Sequence, residues 1–268
     1  MKDLALLCGC PVLMPSGERL EPDGFRERFL AECAEFPAQL ATFVQITQAV
    51  RRSVARSTIC AVIPTRYRPP ELDRLLAVLA ADGVCVHLIS DPHDSEHRIH
   101  RMWNEGADAA RAHGATYIAI LNDDITMLPG TLPLLAGMCD QQWKLGLVYP
   151  DAQARWGRLP DDPRVVVTAF DSARPITGHC FMFRAETGVR FDESYHWWFG
   201  DNQFHKDVTD AGWLAGYAVG VPMKHREHAS ASRHHRFFAS LIARDRELWV
   251  QRQAPPQAVP AAYGSSYR

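Results

Sequence analysis

Residues Tyr117 to Leu128 read Y-I-A-I-L-N-D-D-I-T-M-L, an apolar run that stops abruptly at Asn122, Asp123 and Asp124. Its first five residues, with β-branched Ile118 and Ile120, have the length and character of a strand buried on both faces. A strand of that kind belongs to a largely parallel sheet under helices, and open α/β sheets hold their ligands at the carboxyl edge. Two adjacent carboxylates at that edge crowd negative charge and call for a cation. Asn-Asp-Asp before Leu128-Pro129-Gly130 is equally a good turn and helix-capping sequence. On these residues alone both readings stand.

The pattern upstream prepares this strand. Ile59 to Ile63 is a short apolar strand ended by Pro64-Thr65-Arg66, and Pro70-Glu71-Leu72-Asp73 opens a helix through about Leu79, with proline suited to a first helical turn. Val84 to Ile89 is a second buried strand ended by Ser90-Asp91-Pro92. A helix carrying Asn104, Gly106, Ala109 and Ala110 then runs to about Gly114. Strand, helix, strand, helix, strand with short connections predicts a parallel sheet built from right-handed crossovers. Downstream, a helix from Thr131 to about Met138, a strand at Leu145 to Pro150 and a final strand at Val219 to Lys224 continue the alternation. Residues 151–163, rich in proline and aspartate, form a loop placed to serve as a lid.

Residues 1–57 read as a helical extension without chemistry. A loop-rich lead-in is followed by an amphipathic helix from Asp23, broken at Pro37, and a second helix from Leu40 to about Val54. Residues 58–252 form the main domain, with 58–128 as one half and 129–252 as the other, and residues 253–268 a flexible tail. The 268 residues are 47% hydrophobic, ample for a core. A formal net charge of -2 gives no field of the kind a dedicated nucleic-acid binder carries. Seven cysteines without a C-x-x-C pair predict reduced, mostly buried thiols, and the short apolar run Leu4 to Cys8 fits neither a signal peptide nor a membrane span. The expectation is a soluble, cytoplasmic protein.

I-C-A-V-I-P-T-R, a strand ending in Asp91, and N-E-G-A-D-A-A-R-A-H-G-A-T-Y-I-A-I-L-N-D-D together resemble the nucleotide-sugar half of the family-2 glycosyltransferases, which have the GT-A fold. T-G-H-C-F-M-F-R-A-E-T-G and V-R-F-D-E-S-Y-H-W-W-F-G-D-N-Q-F-H-K-D-V-T-D-A-G-W resemble the acceptor-side segment of the same family. The resemblance implies a Rossmann-like, mostly parallel sheet flanked by helices. It also implies a divalent cation, Mn²⁺ or Mg²⁺, on the donor diphosphate, held by Asp124 and by His225 after the last strand, with His228 as competitor. Pro64, Thr65, Arg66, Asp91, Asn104 and Asp123 would bind the donor nucleotide, and Gly178, His179, Trp197 and Trp198 the acceptor or sugar. Asp201 falls at the place of the catalytic base. The family often carries an acidic pair there, whereas this chain has Gly200-Asp201.

The function so implied is inverting transfer of a sugar from a nucleotide-diphospho-sugar to a hydroxyl acceptor of unassigned class. Three alternatives share the fold. A nucleotidyltransferase would carry a glycine-rich basic loop after the first strand, and Pro64 to Pro70 has no glycine. A non-catalytic nucleotide-sugar-binding module would keep the pocket without turnover. A phage-type DNA-base glycosyltransferase would use the basic stretch Lys224 to Arg252, with Arg226, Arg233, Arg236, Arg244 and Arg246, as a phosphate track and Trp197 or Trp198 as a stacking platform. A zinc site from His225, His228, His234 and His235, and a phosphate-facing role for Arg155, Arg158 or Arg164, are further readings of the same stretches.

Overall fold

Alternation along the strands builds a sheet with two buried faces. In β3 (Ile59–Thr65) every residue is buried. Ile59, Ala61 and Ile63 pack on one side with Leu72, Leu75, Leu76 and Leu79 of α1 (Pro70–Ala81) and Leu132 and Leu135 of α3 (Thr131–Gln141). Cys60 and Val62 pack on the other side with Trp103, Ala107 and Ala110 of α2 (Ile99–Ala112) and Phe204 and Val208 of α4 (Gly200–Asp210). Each large apolar side chain so enclosed contributes about 1.5–3 kcal/mol. Gly106 is what lets α2 lie against β3, since a Cβ there would sit 2.2 Å from Val62 Cγ1.

This computed structural model describes residues 12–13, 19–20, 58–65, 69–90, 98–151, 153–168, 176, 178–225 and 235–253. The helices read at 23–54, the donor-side residues Arg66 and Asp91, the competitor His228 and the tail lie outside these residues. Within the lead-in, β1 (Val12–Leu13) and β2 (Arg19–Leu20) form a small antiparallel ribbon. The central sheet has seven strands in the order β4 (Cys85–Ser90), β3, β5 (Tyr117–Leu121), β9 (Cys180–Arg184), β7 (Leu145–Pro150), β10 (Leu214–Val219), β8 (Arg164–Thr168). The β3–β4, β3–β5 and β7–β10 pairs are parallel, and β9 and β8 run against the rest. The expected α/β architecture, a mostly parallel sheet flanked by helices, is therefore present. Among the described residues no helix is long and apolar enough to cross a membrane.

The last strand differs from its expected span of Val219 to Lys224. β10 stops at Val219, Gly220 turns the chain at φ 74°, and only Met223–His225 is extended again as β11. Asp151 fixes this turn, accepting the Gly220 N–H at 3.1 Å through Oδ2 while its own N–H donates to Val221 O. The break frees β11 to leave the main sheet and pair antiparallel with β6 (Ile125–Met127), with His225 opposite Ile125.

Candidate active site

β6 and β11 form a separate two-stranded ribbon beyond the carboxyl end of β5, and that ribbon brings the ends of two distant strands together. Leu121 ends β5, the Asn122 N–H donates to His179 O at 2.9 Å, and Asp123 and Asp124 turn the chain into β6. Because His225 pairs with Ile125, its Nε2 comes to 3.1 Å from Asp124 Oδ1. That carboxylate oxygen is enclosed and receives no hydrogen bond. That 3.1 Å separation matches both a direct imidazole–carboxylate contact and the spacing of neighbouring ligands on a hard cation, about 3 Å when each bond is ~2.1 Å long. Asn122 Nδ2 lies 3.5 Å from the same His225 nitrogen.

The two groups that flank this pair, Asp123 and His179, are held differently. Thr65 Oγ1 donates to Asp123 Oδ2 at 2.6 Å, which aims Asp123 toward the end of β3. Burial pushes the Asp123 carboxyl up, the Thr65 hydroxyl opposes that, and the neighbouring Asp124 charge adds to it. The His179 ring stacks on His225 with centroids 4.3 Å apart and planes 2° apart. Burial first, then His225, pushes the His179 imidazole down to about 4, so it is neutral at neutral pH. Pro64, at the end of β3, is buried opposite Ile89.

Asp201 stands in the first turn of α4, where its Oδ1 accepts the Asn202 N–H at 2.9 Å. Burial raises its carboxyl to about 6 against the opposing pull of the Asn202, Asp201 and Gly178 N–H groups. A Cβ at Gly178 would fall 2.6 Å from Asp201 Oδ2, so only glycine lets the turn lie against this carboxylate. Gly178 and His179 are consecutive. One therefore seats Asp201 while the next stacks on His225, so the base candidate and the cation candidate are joined by a single dipeptide.

The missing acidic partner at position 200 has a steric cause. His100 is buried beneath α4, its Nδ1 donates to Tyr195 O at 2.9 Å, and a Cβ on Gly200 would sit 2.1 Å from its Nε2. Desolvation holds this imidazole down to about 4, so it fills the space as a neutral ring.

Three stretches singled out in the sequence have protein partners of their own. Asn104 is tied to a turn of the chain: its Nδ2 donates to Phe191 O at 2.9 Å and Glu193 Oε1 at 2.8 Å, and its Oδ1 accepts the Phe191 N–H at 2.9 Å. Three of that amide's four hydrogen-bonding capacities are spent on the Phe191-Asp192-Glu193 turn, and the residue is 2% exposed. Trp197 is partly buried with its ring on Phe238 at 4.6 Å, whereas Trp198 is 42% exposed and the more open of the two. The C-terminal helix α5 (His235–Gln253) is more than a basic face, because fully buried Asp245 accepts the N–H groups of His196, Trp197 and Trp198.

Asp245 was invisible in a stretch whose charge count is basic. Holding three successive amides, it allows the chain to enter α4 through Phe199 at φ 65°, the only non-glycine with positive φ among the described residues. Such a conformation costs about 1–3 kcal/mol, and the Phe199 ring is also stacked on Trp249, with centroids 5.8 Å apart. Of the arginines considered for phosphate, Arg155 is exposed, Arg158 pairs with Asp161 at 3.4 Å, and Arg164 lies exposed on β8. Within residues 151–163, Asp151 accepts the Gly220 N–H, Leu159 is buried, and Trp156 lies under Lys224 Nζ at 4.7 Å, next to His225.

Fold and site together define an α/β protein with a carboxylate–imidazole pair and a desolvated carboxylate at the carboxyl edge of its sheet. Among solved structures the chain is similar to TarS from S. aureus, at 11% identity and a TM-score of 0.45, over 60% of this chain and 57% of that one. It thus spans little more than half of the TarS chain. It is also similar to glucosyl-3-phosphoglycerate synthase from Mycobacterium tuberculosis, solved with Mn²⁺, uridine-diphosphate and phosphoglyceric acid, at 15% identity and a TM-score of 0.49, over 79% of this chain and 84% of that one. Neither a protein-family model nor a curated protein matches the sequence.

Proposed function

We propose that the chain is a divalent-cation-dependent glycosyltransferase that moves a sugar from a nucleotide-diphospho-sugar to an acceptor hydroxyl with inversion. The observation behind this reading is the Gly178-His179 dipeptide, whose glycine lies against the desolvated Asp201 carboxylate and whose histidine stacks on His225, itself 3.1 Å from Asp124 Oδ1. Asp124 and His225 would hold Mn²⁺ or Mg²⁺, whose charge offsets that developing on the leaving diphosphate. Asp201 accepts the proton of the acceptor hydroxyl as its oxygen forms the new bond to the anomeric carbon. The bond from that carbon to the diphosphate oxygen breaks with its electron pair. A base with a pKa of about 6 is ionised at neutral pH yet basic enough to assist. His179, neutral and stacked, keeps His225 oriented without adding a competing positive charge. Exposed Trp198 offers a ring face to sugar C–H surface.

Isothermal titration with UDP, GDP and dTDP in the presence of Mn²⁺ tests the donor side. At least one should bind, and binding should weaken sharply in Asp124→Asn; absence of binding by all three overturns the reading. Incubation with the corresponding sugar nucleotide should release nucleoside diphosphate slowly, and Asp201→Asn should abolish that release. Pyrophosphate as the product would instead mark nucleotidyl transfer, and binding without release a non-catalytic module.

A further inference from the structure

At the opposite end of the same sheet a second constellation of metal-ligating groups lies outside the catalytic cleft. β3 and β4 run in parallel register with Cys60 opposite Cys85. Both belong to the sheet face covered by α2, where Cys60 is fully buried and Cys85 packs half-buried against the same core. His87 follows two residues along β4 and so shares that face. One ligand atom from each of Cys60, Cys85 and His87 can be chosen such that all lie within 4.8 Å of one another. A fourth donor comes from the end of α2, where exposed His113 brings its Nδ1 to 3.4 Å from His87 Nε2.

We propose that Cys60, Cys85, His87 and His113 form a tetrahedral site for a borderline-soft divalent ion, zinc foremost, separate from the cation position at Asp124 and His225. In such a site two nitrogens at ~2.0–2.1 Å from the ion are about 3.4 Å apart, and two sulfurs at ~2.3 Å are about 3.8 Å apart. The sulfur atoms of Cys60 and Cys85 need to close by no more than about 1 Å, whereas His113, 3.4 Å from His87 Nε2 but outside that group of three, must move in to join them. The His87 and His113 rings now stack nearly parallel, 9° apart with centroids at 5.1 Å. Parallel rings cannot aim both lone pairs at one ion, so His113, exposed at a helix end, turns to complete the shell.

Two thiolates and two imidazoles are a donor set that selects zinc over manganese or magnesium. The Cys85 thiol lies within ligand reach of both the Cys60 thiol and the His87 ring. The other two described cysteines behave differently: burial pushes Cys139 and Cys180 up to about 12, which leaves them inert apolar fillers. An ion in this place clips the sheet's edge strand β4 to the carboxyl end of α2. Its effect is on stability rather than on transfer.

Cobalt(II) titration of the chelator-stripped, reduced full-length chain tests the proposal, because thiolate-to-cobalt charge transfer absorbs strongly in the near ultraviolet and an Asp–His site gives no such band. The band should saturate near one equivalent, be erased by added zinc, persist in Asp124→Asn and vanish in Cys85→Ser. His87→Gln and His113→Gln, at half-buried and exposed positions where misfolding is not at issue, should each weaken cobalt by more than the ~10–100-fold cost of losing an outer-shell partner. No band in the unmodified chain, or a band undiminished in Cys85→Ser, overturns the proposal. So does a Cys60–Cys85 disulfide that forms in air as fast with zinc as without it. None of these readings depends on nucleotide binding, so this site and the transferase reading fail independently.

Discussion

Asp201 carries the sharpest residue-scale consequences, because burial acts on its chemistry and on the fold in opposite ways. A base raised to about 6 must lose its proton to work, so kcat/KM is expected to climb with pH along a limb of apparent pKa about 6 and then level off. For stability, the native carboxyl holds its proton more tightly than the unfolded one, whose value is 3.8. Stability therefore falls as pH rises from about 4 through 6 and is fully restored only below the unfolded value. Two units correspond to about 3 kcal/mol. Asp201→Asn, neutral at every pH, should thus abolish transfer while raising neutral-pH stability by up to that amount, as read by urea unfolding at pH 7 and pH 4. Gain at pH 7 without gain at pH 4 is the signature, and equal stability at both removes the desolvation argument. Gly178→Ala is the complementary change: a methyl group 2.6 Å from Asp201 Oδ2 must displace the carboxylate. A displacement near 1 Å costs about 100-fold in kcat, with nucleotide affinity largely kept.

At the scale of elements, α5 holds the aromatic turn that feeds α4, and Asp245 is the contact that does so. Removing a buried carboxylate that accepts three amides leaves those N–H groups unpaired, at about 1–3 kcal/mol each when buried. Asp245→Ala should lower Tm by roughly 6–12 °C, the shift about 3 kcal/mol produces in a domain of this size. Asp245→Asn, which keeps an acceptor, should recover part of the loss in differential scanning calorimetry; equal losses in the two variants would show that packing of α5, not the amide cradle, is at stake. This contact also shows why parts of the fold could not be read in advance. Tyr117 to Leu121 announces itself because five apolar residues in succession can only be a doubly buried strand. β6 and β11, three residues each, are too short to show any period, and β10, Leu-Ala-Gly-Tyr-Ala-Val, carries two small alanines and a glycine where a strand signal needs branched side chains. The candidates Asp124, Asp201 and His225 could be singled out in the sequence because they stand at element ends. The hold of Asn104 on the Phe191-Asp192-Glu193 turn was not legible, because an amide facing a turn and one facing a ligand look alike in sequence. Asp245, and Cys60 beside Cys85, depend on register and docking that no local pattern encodes.

For the whole molecule, the two ends of the sheet have different donor chemistry, and ligand-linked stability can separate them. The cleft offers an oxygen, an imidazole and a gap between them, so a hard cation completes its shell there only when a diphosphate supplies further oxygens. Mn²⁺ alone should therefore move Tm little, and a nucleoside diphosphate alone should do no better against the crowded charges of Asp123 and Asp124. The pair together, at ~100 times the dissociation constant, adds about 2.7 kcal/mol, or roughly 5–10 °C in Tm. Asp124→Asn should erase that synergy while leaving any zinc-dependent shift intact, and Cys85→Ser should do the reverse. Thermal scans of the three proteins with Mn²⁺, nucleotide, both, and zinc alone resolve the matter. If nucleotide stabilises as strongly without Mn²⁺ as with it, the carboxylate–imidazole pair is not a cation site, and the donor must be held by the sheet edge and its loops without a bridging ion.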